Sequence, residues 1–422
     1  MNKPGYHPSH RTSLNPVLVS VAMLPPTCVV VPTYWTRFGG ESRPGDALYD
    51  HPTALGGSTT LPALLDSLDK LDSSSFYLLV IVAVTGEDVA AQAEQEVRRL
   101  VRGYEQLRSL VFGPSHLSWL RNVLDGRGEN ESASSLDLRT YPRIRNLQLA
   151  IPHALHTNAI VAVDDDEIVT DPLFLEKATE PLGKELDGRR VDGLSGHYLQ
   201  ENGSIMLQVD PDKAASSNLF DRKATIMNAA TERLEKESGN IVATPFCFGG
   251  NMEFTADLAA AVGFDPGITR GEDIDYLINA RMEGKTFFLR KDLHILHCPP
   301  KGGSYKDASI SKLTQDVVRF IYEREKLVVS QTEPELHPLT AAELMPYPGE
   351  FLDRDIEDEA VDALEQAGYS GNARAFVQEA RSGARARVDA YLDFRRQWPA
   401  LMARLHDDSR IFDYLAGQIH GL

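Results

Sequence analysis

Nine consecutive apolar residues, Phe76-Tyr-Leu-Leu-Val-Ile-Val-Ala-Val84, constrain this chain more than any other stretch. A run with no polar interruption does not suit a strand with one wet face. It reads as a strand covered on both sides. Two further runs share this character: Thr27-Cys-Val-Val-Val-Pro32 and the segment from Asn158 to Val163. Helical spacing fills the intervals, in Leu61 to Leu71, in a stretch opened by Thr85-Gly86-Glu87-Asp88 that reaches about Val101, and in Pro142 to Leu155. Strand, helix, strand, helix, strand predicts a parallel sheet with helices on both faces, an α/β fold.

The third run ends abruptly, in Val161-Ala-Val-Asp164-Asp165-Asp166-Glu167. Adjacent carboxylates repel one another, and a divalent cation among them reverses that cost. Open α/β sheets place their ligands at strand tips of this kind. The residues therefore point to a metal and, through it, a polyanion. A solvated acidic loop or a structural calcium site is the competing reading.

Bulk properties narrow the function classes. Lys+Arg 43 against Asp+Glu 61 gives a net charge of -18 over 422 residues. Binding to a nucleic-acid backbone needs clustered Lys and Arg, so that class is disfavoured. The 3 cysteines, Cys28, Cys247 and Cys298, are far apart and odd in number, which argues against a disulfide framework and for a reducing, cytoplasmic setting. The apolar stretch from Val17 to Val31 is cut by Pro25-Pro26. A spanning helix needs roughly 20 apolar residues, so no membrane segment is expected, and the same stretch makes a poor signal peptide.

The second half changes character. Leu194 to Gln200 and Ser204 to Val209 flank Glu201-Asn202-Gly203 and read as a β-hairpin. Asp221 to Glu237 reads as a polar helix, Thr244 to Phe248 as a short strand, and Asp273 to Glu283 as a helix. Thr286 to Leu289 and Leu293 to Leu296 read as two more strands, and the chain is helical after about Ser311. The last helix, Ala373 to Leu405, has an apolar stripe that includes Phe376, Val388, Tyr391, Leu392 and Phe394; Pro399 should break or kink it. That stripe offers either a packing face or a surface for a homo-oligomer. The expected organisation is an N-terminal arm over 1–26, an α/β domain over 27–310 (halves 27–166 and 167–310), and a helical extension over 311–422.

Several pieces occur in a telling order: Val29-Val-Val-Pro-Thr-Tyr34, Arg145-Asn146, Asp164-Asp-Asp166, Gly249-Gly250-Asn251, Arg270-Gly-Glu272-Asp273 and His297. The ordered set resembles a GT-A glycosyltransferase, closest in style to the family-2-like nucleotide-sugar transferases, and covers about Thr27 to Pro300. The resemblance implies a Rossmann-like, mixed and mainly parallel sheet. It also implies Mn2+ or Mg2+ as cofactor, a UDP- or GDP-sugar as donor, and a small-molecule or glycan acceptor.

Residue by residue, the resemblance makes Asp164 and Asp166 a DxD pair, with Asp166 on the metal and Asp164 toward the ribose or the metal shell. A late histidine, His297, completes that shell; a neutral imidazole suits Mn2+ beside carboxylates. A bonded core histidine is the plainer alternative. Asp273 would be the general base and Glu272 an acceptor or sugar contact, although carboxylates at a helix start also serve as caps. Gly249, Gly250 and Asn251, with Arg270, would lie against donor sugar or acceptor; for the glycines a tight turn is the alternative. Pro32, Tyr34, Glu87, Arg145, Asp164 and Asp165 would face the donor nucleotide. Tyr34 or Trp35 offers a base-stacking ring or simple packing. The second strand lacks the usual Asp-Asp, so Glu87 or Asp88 would substitute. The loop from Arg37 to Thr60 is long enough to be a lid or acceptor loop, and its Asp50-His51-Pro-Thr53 segment has no assigned role.

The chemistry is thus expected to be metal-dependent transfer of a sugar, inverting, with Asp273 as base. A retaining enzyme of the glucosyl- or mannosylglycerate-synthase type, a non-catalytic nucleotide-sugar binder, and a nucleotidyltransferase are the alternatives.

Overall fold

The unbroken apolar runs make sense once the sheet is seen in section. The computed structural model describes residues 24–125, 134–300 and 306–421, so the expected N-terminal arm over 1–26 lies outside it apart from residues 24–26. Twelve strands occur in the described residues: β1 (Thr27–Thr36), β2 (Thr53–Ala54), β3 (Phe76–Val84), β4 (Ser109–Phe112), β5 (Ala159–Val163), β6 (Glu167–Ile168), β7 (Glu185–Leu186), β8 (Arg189–Arg190), β9 (Gly193–Leu199), β10 (Ile241–Ala243), β11 (Asn251–Thr255) and β12 (Phe287–His297). The main sheet runs β10-β12-β9-β11-β5-β1-β3-β4, with β2 beside β1 and β6 beside β12.

β4, β3, β1 and β5 are mutually parallel. β11 runs antiparallel between β5 and β9, β12 is parallel to β9, and β10 closes the edge antiparallel to β12. The fold is a mixed, mainly parallel sheet flanked by helices, followed by C-terminal helices. Along β3, Tyr77, Leu79, Ile81 and Ala83 enter one buried cluster. Phe76, Leu78, Val80, Val82 and Val84 enter another on the opposite face. Helices Leu61–Leu68 and Ala90–Val101 cover the second face; helix Tyr141–Ala154 covers the first. Side chains alternate across a strand, so only a run apolar at every position serves both layers.

Several expectations need correction. Ser204 to Val209 forms no strand. β9 already has β11 on one side and β12 on the other, so no edge is free to pair. The Asn228 side chain takes both backbone groups of Leu207 instead, at 2.8 and 2.9 Å. The turn itself survives, with Gly203 at φ 77. The segment expected as a strand over Thr244 to Phe248 is the connection between β10 and β11. The two strands expected over 286–296 are one strand, β12, with a register irregularity between Leu289 and His294.

The final long helix, Ala373–Asp407, passes through Pro399 without interruption. Proline removes one backbone donor, and the turn is held from outside. Trp398 Nε1 donates to the Ala259 carbonyl at 2.9 Å, and Leu401 and Met402 are buried. The apolar stripe of this helix, including Val388, Tyr391 and Leu392, joins the same buried cluster as one face of the sheet. Beyond it, the backbone of His420 exchanges two hydrogen bonds with Ser109, at 3.0 and 2.8 Å, and covers the exposed edge of β4.

Candidate active site at the carboxyl edge of the sheet

Parallel strands bring their C-terminal ends to one edge, and chain direction assembles the site there. β5 delivers Asp164 to Glu167. Helix Tyr141–Ala154 runs back against the sheet, so its first turns, with Arg145, reach the same edge. β11 is antiparallel and begins there, which brings Gly249, Gly250 and Asn251. β12 ends there with His297, and helix Glu272–Met282 starts there with Glu272 and Asp273.

Arg145 is the hub. Its guanidinium is buried, with Nη2 3.1 Å from Asp164 Oδ1 and Nε 3.4 Å from Glu272 Oε1. Burial opposes its charge, yet Asp164, Tyr34 and Glu272 together hold its pKa well above the ordinary range. Asp166 Oδ2 lies 3.5 Å from His297 Nε2. The strand pairing of β6 with β12 sets this approach: Glu167 is opposite His297, and the Cys298 amide donates to the Asp166 carbonyl at 2.8 Å. Burial works against charging the His297 imidazole, but the hydrogen bond and charge of Asp166 outweigh it and raise its pKa. The ring also stacks on Tyr198, centroids 5.1 Å apart at 17°.

Acid outnumbers base here, and the carboxyls show it. Burial, then the neighbouring Asp166, pushes Asp164 up against the pull of Arg145. Burial with Asp166 and Asp164 beside it lifts Asp165 to about 8, against a hydrogen bond from Thr33. Glu272 is raised by burial and by Asp273, again against Arg145. Glu167, which sequence reading placed in the acidic run but gave no role, is 1% exposed. Its Oε2 accepts the Asp164 amide at 2.8 Å, while Oε1 is buried without a partner. Asp164 Oδ1 also makes no hydrogen bond.

The glycine pair is explained by this crowding. A Cβ on Gly250 would sit 2.2 Å from Glu167 Oε1 and 2.8 Å from Asp164 Oδ2; one on Gly249 would sit 3.1 Å from Arg145 Nη2 and 3.4 Å from Asp273 Oδ2. Gly250 N–H donates to the Tyr198 hydroxyl, which ties this turn to the ring beside His297. Tyr198 carries no sequence signal that would have marked it.

Other expected residues fall in different places. Asn251 is fully buried and its amide reaches the carbonyls of His197 and Leu293, at 3.3 and 3.4 Å, so it braces β9 and β12. Asn146 likewise braces Phe264 through bonds of 2.9 and 2.7 Å. Pro32 is buried within β1, opposite Ile81. Trp35 is fully buried, with Nε1 on Thr33 at 3.1 Å, and packs. Tyr34 stands at the site in a ring cluster, 4.7 Å from Tyr49 and 5.4 Å from Tyr141. Asp88 is taken by Arg37, at 2.7 Å, which also holds Asp46 at 2.6 Å; Glu87 is exposed. Asp275 points to Lys326 at 2.6 Å and has no part in the site. Neither Asp273 nor Glu272 caps the helix: its N-cap is Gly271, at φ 71 and without a side-chain bond.

Among the described residues no three His, Cys, Asp or Glu side chains already converge as a finished metal shell. Asp166 and His297 are the pair that meets, with Asp164 in the same acidic group. Among the described residues no helix is long and apolar enough to cross a membrane.

No family model and no curated protein matches the sequence. Among solved structures the chain is similar to the mannosyltransferase PcManGT from Pyrobaculum calidifontis in complex with GDP-Man and Mn2+, at 16% identity over 94% of this chain and 87% of that one, TM-score 0.42. It is also similar to glucosyl-3-phosphoglycerate synthase from Mycobacterium tuberculosis in complex with Mg2+ and UDP, at 15% identity over 69% of this chain and 78% of that one, TM-score 0.36.

Proposed function

We propose that this protein transfers a sugar from a nucleoside diphosphate sugar to an acceptor hydroxyl, with a divalent metal ion and with inversion. The observation that carries the reading is the acidic group at the strand edge, in which Glu167 Oε1 is buried without a partner and Asp164 and Glu272 share the one guanidinium of Arg145, beside a two-glycine gap. Buried polar atoms are normally paired, so unpaired ones at a strand tip favour a ligand there.

Asp166 and His297, with Asp164, would hold Mn2+ or Mg2+. These ions need few protein groups when substrate phosphates supply the remaining oxygens, which suits a pair of side chains rather than a full cage. The ion, when bound, supplies Lewis-acid stabilisation of the leaving diphosphate.

The chain's own residues do the rest. Arg145 holds Asp164 and Glu272 in position and adds a fixed positive charge below the diphosphate. Gly249 and Gly250 let the donor sugar approach the backbone. Tyr34 lines the nucleotide side, and Glu87 is the free carboxylate for the base. Asp273 accepts the acceptor's hydroxyl proton as the new C–O bond forms at the anomeric carbon; the bond to the diphosphate oxygen breaks on the opposite face and the nucleoside diphosphate leaves.

Thermal-shift titration with UDP and GDP, with and without Mn2+, tests the reading. A stabilisation that needs both metal and nucleotide is expected, since a ligand bound only by the native state raises its melting point. Release of nucleoside diphosphate from a donor panel, and a product of inverted anomeric configuration, complete the test. Asp273→Asn with unimpaired turnover and a retained anomer would overturn the inverting step, and no metal-dependent nucleotide binding would overturn the function.

A further inference from the structure

Next to the proposed base, the molecule gathers positive charge that the chemistry above does not use. The chain as a whole carries -18. Yet Arg270, which adjoins Gly271 just before Glu272 and Asp273, shares its carboxylate partners with Lys312, Lys223 and Arg319, from two other parts of the chain. The Arg319 guanidinium lies so close that its Nη1 would be 1.6 Å from a Cβ on Gly271. Among the described residues three carboxylates lie within ion-pair distance of these four cations. Asp316, buried, takes Lys223 at 2.7 Å and Arg319 at 3.2 Å, with Arg270 Nε at 3.9 Å. Asp50 takes Arg270 at 3.4 Å and Lys312 at 3.3 Å. A third acid, Glu323, is 3.8 Å from Arg319 but is pushed up to about 8 by burial, so it keeps its proton at neutral pH. Burial lowers Lys223 to about 8 against the attraction of Asp316, with smaller contributions from Arg319 and Arg270.

The two carboxylates differ in how firmly they are held. Asp316 is 9% exposed and built into the floor. Asp50 is 43% exposed, belongs to the long connection between β1 and helix Leu61–Leu68, and makes only long contacts to its two cations. Ion pairs of that kind contribute little and exchange readily. The Asp50 amide donates to the Tyr141 hydroxyl at 2.7 Å, and Tyr141 itself stacks edge-on against Tyr34, so Asp50 sits at the mouth of the site. Arginine beside lysine is the pairing that receives a phosphate or carboxylate with several oxygens.

We infer that the acceptor carries a small anionic group, a phosphate or a carboxylate, and that Arg270 and Lys312 receive it in the place Asp50 now fills. The inference rests on the transferase reading and names its acceptor class. Capture at Arg270, two residues before Glu272, leaves an acceptor hydroxyl a few bonds away within reach of Asp273. Asp50 acts as a placeholder: it neutralises the two cations until the acceptor displaces it.

The experiment is calorimetric titration of the metal-free full chain with inorganic phosphate and, separately, acetate, at constant ionic strength. Saturable binding of at least one is expected, and which one distinguishes the two sources. The doubly substituted Arg270→Gln, Lys312→Gln chain should bind at least tenfold more weakly. Asp50→Asn should bind several-fold more tightly, because the internal competitor is gone. All three side chains are partly exposed, and melting temperature checks that each variant folds. With donor and Mn2+, glucose 6-phosphate or glucuronate should exceed glucose as acceptor by tenfold or more in kcat/KM. Equal use of glucose, or anion binding that ignores all three substitutions, overturns the inference. If Mn2+-dependent nucleoside diphosphate binding persists in that case, only the acceptor class falls; if it is absent as well, the transferase reading falls with it.

Discussion

One helix, Glu272–Met282, takes part in two carboxylate clusters, and they are finished to different degrees. In the first, Lys326 is fully buried and its ammonium meets Asp265 at 2.6 Å, Asp275 at 2.6 Å and Asn279 at 3.0 Å. Asp275 also accepts from Asn279 at 2.8 Å, and Asp265 from the Gly267 amide at 2.7 Å and the Tyr322 hydroxyl. Every donor and acceptor is used, and the cluster joins the C-terminal helices to the sheet domain. In the second, around Asp164, Asp166 and Glu272, contacts to Arg145 and His297 span 3.1 to 3.5 Å and Glu167 Oε1 is buried without a partner. The saturated cluster holds the fold, and the one short of cations is the one proposed to hold a ligand.

The largest expected effect tests the saturated side. Lys326→Met strands Asp265 and Asp275 in the core without their cation. Breaking a buried pair from one side costs about 3–5 kcal/mol, so chemical denaturation should show a loss of that size. A loss below about 1 kcal/mol would break the comparison.

The unsaturated side should respond in the opposite manner. Asp166→Asn should lower transfer by about 10²–10³-fold, the scale for one group that stabilises a developing charge. Its melting temperature without metal should stay level or rise, because one repelling carboxylate is gone. Parallel loss of activity and stability would assign Asp166 to the fold.

Glu253 sharpens the rule with a third case. It is fully buried in β11, neither oxygen has a partner, and burial alone raises its pKa well above the usual carboxylate range. Among the described residues no cation pairs with it, so it is an acid held in its uncharged form by burial. Relief of an unpaired buried polar group contributes about 1–3 kcal/mol, and Glu253→Leu should stabilise the chain by roughly that amount in denaturant titration. A destabilised variant would show that the carboxyl has a role.

The smallest effect lies at a neutral joint of the same extension. His153, at the end of helix Tyr141–Ala154, has its ring 5.1 Å from that of His406. Burial, with the charges of His406 and His156, lowers its pKa from 6.5 to about 4; the Met402 backbone and Asp407 oppose that only in part. Between those values the unfolded chain binds a proton that the folded chain refuses, so stability from this residue falls as pH drops from 6.5 toward 4. Urea midpoints of wild type and His153→Gln should therefore converge or cross as pH is lowered through that window. A constant gap would refute the assignment.

Local signals carried much of the fold. β3 matches its expected limits at both ends, since an unbroken apolar run has only one use in a doubly covered sheet. The Asp164 to Glu167 tip was legible as the end of an apolar run, and the family resemblance singled out Arg145, Glu272, Asp273 and His297, which the fold brings to the same edge. What was missed depended on neighbours distant in sequence. The hairpin after β9 failed because both of its flanks were taken. Pro399 stayed helical because Trp398 is anchored on Ala259. Asn251 proved to be a brace because β9 and β12 offered it carbonyls.

The amino-acid order by itself determined the alternation of strand and helix and placed four acids at a strand tip, because periodicity and charge density are properties of a few adjacent residues. Only tertiary structure decided which carboxylates would be satisfied. Asp275 and Glu272 are three residues apart on one helix, and what separates the structural anchor from the group proposed to take a ligand is that Lys326, 51 residues along the chain from Asp275 and on another helix, reaches the one and leaves the other to a single arginine.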